Sequence, residues 1–145
     1  MISECTKSDT SKILLIINDA SIRYKGIIPD NCWHEPYMSE QELIDEFSDG
    51  VRMFGYHHNN KLIGVIGIQE VKDVILIRHA YTLTSYQGKG TGSALLEYLL
   101  KKIKILVYWW VLGEMPHGQL DFMKNLVSFF TQKNNQLYYL KNIGK

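Results

Sequence analysis

A chain of 145 residues with 46% hydrophobic composition has the length and apolar content of one domain with a buried core. Its formal net charge of +1, with lysines scattered along the chain, excludes the basic footprint that duplex nucleic acid or an anionic membrane requires. No signal peptide or long apolar run directs it into a membrane, and Cys5 and Cys32 lack metal-ligand spacing, so the expectation is no metal and two inert thiols in a reducing, cytoplasmic compartment.

In chain order, Ile13, Ile16, Ile17, Ala20 and Tyr24 recur at helical spacing and predict a first helix from Ser11 to about Lys25. The stretch DNCWHEPYMS is broken by Pro36 and reads as a loop. Ser39 and Glu42 form a capping box ahead of Leu43, Ile44 and Phe47, which predicts a second helix from about Glu40 to Phe47. Three strands follow, Arg52 to His57, Leu62 to Val71 and Val74 to Leu83. The turns His58-Asn59-Asn60-Lys61 and Lys72-Asp73 join them as tight hairpins, in which His57 and His58 read as surface residues. A third helix over Thr91 to Lys102 carries Leu95, Leu96, Leu99, Leu100 and Ile103 on one broad face, with Lys101, Lys102 and Lys104 where the helix dipole favours cations.

Between the last strand and that helix stands YQGKGTG, residues 86–92. Glycine costs about 1 kcal/mol relative to alanine inside a helix, so three glycines at a helix entrance point to a backbone role. Gly88, Gly90 and Gly92 let the main chain approach a ligand closely and turn successive N–H groups outward at a helix N-terminus, an arrangement suited to phosphate; Lys89 adds a mobile cation. The spacing is neither that of a P-loop nor that of a dinucleotide fingerprint.

Gln87-x-x-Gly90-x-Gly92 resembles the signature that GNAT N-acetyltransferases place between their fourth strand and third helix, and DNCWHEPYMS and IGVIGIQEVKDVILIRHAYT resemble one branch of small bacterial and archaeal members. The likeness covers residues 10–106 and implies a single α+β domain over 1–145, an αβα sandwich on a mixed sheet, with residues 107–145 as a divergent tail. It also implies acetyl-CoA as cosubstrate. The pyrophosphate would lie on the turn formed by Gln87, Gly88, Lys89, Gly90, Thr91 and Gly92, and the pantetheine arm against the backbone of Tyr81, Thr82 and Leu83.

The implied reaction moves an acetyl group to the amine of a small molecule or peptide. Such an amine, with a pKa near 10.4, is only about one part in a thousand nucleophilic at neutral pH, so a base or water relay must take its proton. Glu70 and His79 are the candidate bases, weighed against a solvated strand-end charge and a packed polar residue respectively. Trp33, His34, Glu35 and Tyr37 are candidates to line the acceptor pocket, weighed against simple anchoring of their loop. A member that binds CoA without transferring from it is the competing expectation.

The tail departs from the family pattern. Where Gly-Thr-Trp and then Phe-Tyr-Glu-Lys-x-Gly-Phe are expected, the chain reads VYWWVLGEMPHGQLDFMKNLVSFF. Tryptophan and methionine each have a single codon. Read from the third base, Trp110-Val111 must encode Gly, Met115-Pro116 Ala and Met123-Lys124 Glu, and permitted synonymous codons turn residues 110–127 into the absent segment. A shift of reading frame between about Lys101 and Tyr108 is therefore expected. As written, Lys104 to Val111 is strand-prone, and Leu120, Met123, Leu126, Val127 and Phe130 recur at helical spacing.

Overall fold

The computed structural model describes residues 1–71, 74–102 and 107–109. Helix α1 spans Thr10–Ser21, α2 Glu40–Ser48 and α3 Thr91–Lys102; strands β1 to β5 span Ile2–Glu4, Arg52–His58, Lys61–Val71, Val74–Thr82 and Val107–Trp109. The strands form one sheet in the order β1-β2-β3-β4-β5, with antiparallel pairing as far as β4 and parallel pairing between β4 and β5.

Alternation along the strands gives the sheet two apolar faces. Met53, Ile63 and Val65 pack with Ile13, Ile16 and Ile17 of α1 and Leu43 of α2 on one side. Phe54, Ile66, Ile68 and Ile77 pack with Leu95, Leu96 and Leu99 of α3 on the other. The result is the expected αβα sandwich on a mixed sheet.

Local signals explain most element boundaries. Ser39 accepts from the Glu42 amide at 3.2 Å while the Glu42 carboxylate accepts from the Ser39 amide at 2.7 Å, so the capping box starts α2 where it was expected. Asn59 and Asn60 take φ values of 48° and 62°, the left-handed pair that a two-residue hairpin turn requires. The first helix is shorter than its apolar spacing predicts: regular α structure stops at Ser21, and Ile22–Tyr24 continues as a 3-10 turn that keeps Tyr24 in the core.

Strand β1 is not among the expected elements; it is held to β2 by register with Tyr56, Gly55 and Phe54. His57 corrects the surface reading, since it lies in β2 with its Nδ1 buried and without a partner among the described residues, whereas His58 is exposed. The Lys72-Asp73 turn and the tail helix expected around Leu120 to Phe130 lie outside the described residues. Of the strand-prone Lys104 to Val111, the described part is β5.

Two features of β3 shape both ends of the sheet. The β3–β4 register slips by one residue between Val65, which faces Tyr81, and Gly67, which faces Arg78, so His79 and Ala80 together oppose Ile66. At Gly64, α3 sits so close to the sheet that a Cβ would lie 2.7 Å from Thr91 Cγ2 and 3.3 Å from Leu95 Cδ1. Replacing Gly64 with valine must push the N-terminal turn of α3 off the sheet. G64V is expected to cost about 1–3 kcal/mol and lower the Tm by roughly 3–10 °C, read from thermal unfolding.

Candidate active site

The glycine turn begins with a 3-10 turn over Thr84–Tyr86. Asp19 Oδ2 accepts from the Thr84 amide at 2.7 Å, which ties this turn to α1. Gln87 Nε2 donates to Thr82 O at 3.1 Å, and Gln87 Oε1 accepts from the Arg23 guanidinium. The Gln87 side chain thus braces the turn.

Gly88 and Gly90 adopt φ values of 74° and 86°, which other residues adopt only with strain, and a Cβ at Gly88, Gly90 or Gly92 would meet nothing within 4 Å. The first α-helical hydrogen bond of α3 runs from Ala94 N to Gly90 O, so the N–H groups of Thr91, Gly92 and Ser93 precede it and are available at the positive end of the helix dipole. An open backbone cradle with outward amides fits a pyrophosphate. Leu83 N–H donates to Ile63 O at 2.9 Å, so antiparallel alternation turns the Thr82 backbone toward the opposite edge of β4. That is the edge on which β5 pairs, and the paired residues of β4 are Ile75, Leu76 and Ile77 only. Of the three residues expected along a pantetheine arm, only the Thr82 backbone faces this side, and its carbonyl already accepts from Gln87; Leu83 N–H is taken by Ile63 O.

The register slip decides the orientation of His79. With φ at 55°, His79 escapes strict alternation, and both it and Arg78 reach Glu46 on α2. His79 Nε2 lies 2.9 Å from Glu46 Oε2, Arg78 Nη2 lies 2.9 Å from Glu46 Oε1, and Arg78 Nη1 donates to Gln69 Oε1 at 2.8 Å. The side chains of His79 and Glu46 are 14% and 20% exposed, so this is a shielded network. Burial pushes the Glu46 carboxyl up, but the hydrogen bond with His79 and the neighbouring Arg78 guanidinium outweigh it and hold the group below the ordinary carboxylate range. No sequence motif pointed to Glu46. The available signal was its place three residues after Leu43, a charge beside the buried stripe of α2.

The other candidate base lies elsewhere. Glu70 is exposed, shares the alternation phase of Ile66 and Ile68 on the α3 face, and adds its charge to the field at Arg52. Glu70 and His79 are therefore on opposite faces of the sheet and do not form a pair.

Of the loop candidates, Tyr37 is the one connected to His79, through Tyr81. Asn18 holds the loop to α1 through two 2.9 Å bonds with the Met38 backbone. Tyr37 gathers its neighbours, with ring centroids 5.7 Å from Trp33, 6.4 Å from His34 and 6.2 Å from Tyr24. The Tyr37 phenol neighbours that of Tyr81; burial, then the neighbouring phenols, keeps Tyr81 protonated far above the ordinary range. Tyr81 in turn stacks on His79 at 6.5 Å. Glu35 points outward and pairs with Lys25 at 2.9 Å. Burial raises the Cys5 thiol to about 12, in keeping with an inert side chain.

The sequence matches the Acetyltransferase (GNAT) family over residues 16–118, and the chain belongs to that family. Among solved structures it is similar to the PaiA N-acetyltransferase of Thermoplasma acidophilum in complex with coenzyme A, with a TM-score of 0.67 and 22% identity over 86% of this chain and 87% of that one. A GNAT-family acetyltransferase of Staphylococcus aureus Mu50 aligns with a TM-score of 0.63 and 15% identity, covering 86% of this chain and 82% of the other. The ribosomal-protein-S18-alanine N-acetyltransferase of Escherichia coli aligns with a TM-score of 0.56 and 22% identity over 70% of this chain and 57% of its own. At these identities the likeness is one of fold. No curated protein sequence matches the chain.

The Glu46 network has a measurable signature. A carboxyl held below its unfolded value adds stability above that unfolded value, and the contribution is lost as the pH falls through the folded one. E46Q is expected to cost about 1–3 kcal/mol at neutral pH, because Arg78 and His79 lose a charged partner. The gap to the parent protein should narrow in melts taken at pH values below the ordinary carboxylate range, where the parent's Glu46 also takes up a proton.

Proposed function

We propose that this chain transfers the acetyl group of acetyl-CoA to the amine of a small molecule or peptide, with His79 as the base. The observation that carries this reading is the placement of an open glycine cradle beyond β4 and of a shielded pair between Glu46 of α2 and His79, which lies three residues before Thr82, the last residue of β4. The amides around Gly88 to Gly92 would hold the pyrophosphate, and the Thr82 backbone would lie along the pantetheine arm. Acetyl-CoA would supply a thioester whose carbonyl carbon the neutral amine attacks; the carbon–sulfur bond breaks, and the released thiolate takes up the proton that the nitrogen gives up as the amide forms.

The residues of the chain manage the proton. Glu46 accepts the Nε2–H of His79, which leaves Nδ1 with the lone pair that takes the acceptor ammonium's proton. The Tyr81–Tyr37 link fixes one wall of the imidazole and ties it to the Trp33 and His34 loop, the proposed acceptor side. Asparagine tolerates left-handed backbone, so H79N keeps the local fold while removing the base. H79N is expected to lower kcat about 10²-fold or more while changing the KM for acetyl-CoA less than about 3-fold, in a free-CoA release assay with a panel of amines. A parent protein that neither melts higher with acetyl-CoA nor releases CoA with any amine would overturn the transferase reading.

A second reading rests on the forced codons at Trp110-Val111, Met115-Pro116 and Met123-Lys124: a chain whose reading frame shifts between about Lys101 and Tyr108, with impaired transfer or CoA binding. Resequencing the locus and restoring the frame tests it. The restored protein should release CoA faster than the chain as written; equal rates, or codons incompatible with the shifted segment, discard the idea.

A further inference from the structure

We infer that Lys61, Lys89 and His58, gathered around Tyr86, form a recognition site for a phosphomonoester, the 3′-phosphate of CoA; the inference rests on the proposed binding of CoA. Lys61 Nζ lies 5.6 Å from the Tyr86 ring centroid and Lys89 Nζ 5.2 Å from it. The His58 ring is centred 6.1 Å from the same phenol. Two ammonium groups are thus brought to one aromatic ring. Cation–π attraction holds each stem in place but does not neutralise either charge. Neither lysine has a carboxylate within ion-pair distance among the described residues: Lys89 donates to the Ser85 carbonyl at 3.2 Å, and the Asp19 carboxylate that reaches this turn is occupied with the Thr84 amide. The cluster is a positive concentration built by three different elements, β2, β3 and the turn before α3.

Its location selects the ligand group. Tyr86 is the last residue of the 3-10 turn, two positions before Gly88, and Lys61 opens β3 at the end of the sheet where β4 closes on Thr82. A CoA molecule whose pantetheine follows β4 and whose pyrophosphate meets the Gly88–Gly92 amides has its ribose as the next group, and the ribose carries the phosphomonoester. A dianionic phosphate of charge about −1.5 to −2 at neutral pH matches two ammonium groups and an imidazole. Lys61 and Lys89 are both exposed, so the attraction is screened by salt.

Calorimetric titration with CoA and with 3′-dephospho-CoA tests the assignment, using the parent protein and K61M, which retains the aliphatic stem over Tyr86. The parent protein should bind CoA about 5- to 10-fold more tightly than dephospho-CoA at low salt, on the scale of two exposed charge pairs. In K61M that preference should fall to about 2-fold, with dephospho-CoA affinity unchanged. Equal affinities of the parent for both ligands overturn the inference, and so does a K61M variant that weakens both equally, which would assign Lys61 to the pyrophosphate. If the parent protein binds neither ligand, the CoA-binding reading itself fails.

Discussion

Between Val65 and Gly67 the β3–β4 ladder loses its register by one residue, and the chemistry proposed for this chain depends on that slip. In a regular strand Arg78 and His79 would point to opposite faces. The bulge sends both to Glu46 and leaves Tyr81, farther along, packed with the α1 and α2 side. A carboxylate shared by a guanidinium and an imidazole stabilises a conformation that His79 would otherwise avoid, since the φ of 55° is costly for a residue with a Cβ. The network and the bulge therefore support one another.

The close approach of α3 to Gly64 does for the proposed cofactor end what the bulge does for the proposed acceptor end. A helix N-terminus attracts anions only where it can be reached, and here the sheet fixes its position while the flanking glycines leave its amides uncovered. The two half-sites are thus built on one strand pair, β3 and β4, with α1 and α2 on one face and α3 on the other.

Local rules made much of this legible in the sequence. The third helix falls on the expected residues because leucine periodicity and its lysine end coincide, and α2 starts at its capping box. Gly88 and Gly90 have the backbone freedom their type advertised. Long-range geometry was not legible. Three residues at the N-terminus become a strand only by pairing with β2, and a histidine takes left-handed backbone only because a partner on α2 receives it. Glu46 looked like ordinary helix surface until the sheet supplied Arg78 and His79. Plain alternation from Ile77 would put His79 on the face of Glu70; the slip separates them, and nothing in the residue types marked where it falls.

The bond from the Thr84 amide to Asp19 joins residues 65 positions apart in the chain. The brace from Arg23 to Gln87 spans a similar distance. Such contacts carry a loop-closure cost that only the assembled domain repays. The glycine signature is consequently not a portable module: a peptide of residues 84–102 has the right letters but neither the α1 tether nor the sheet that aims its amides. Its proposed anion-binding shape is a property of the assembled tertiary structure, tied to it through Asp19 of α1 and through Arg23.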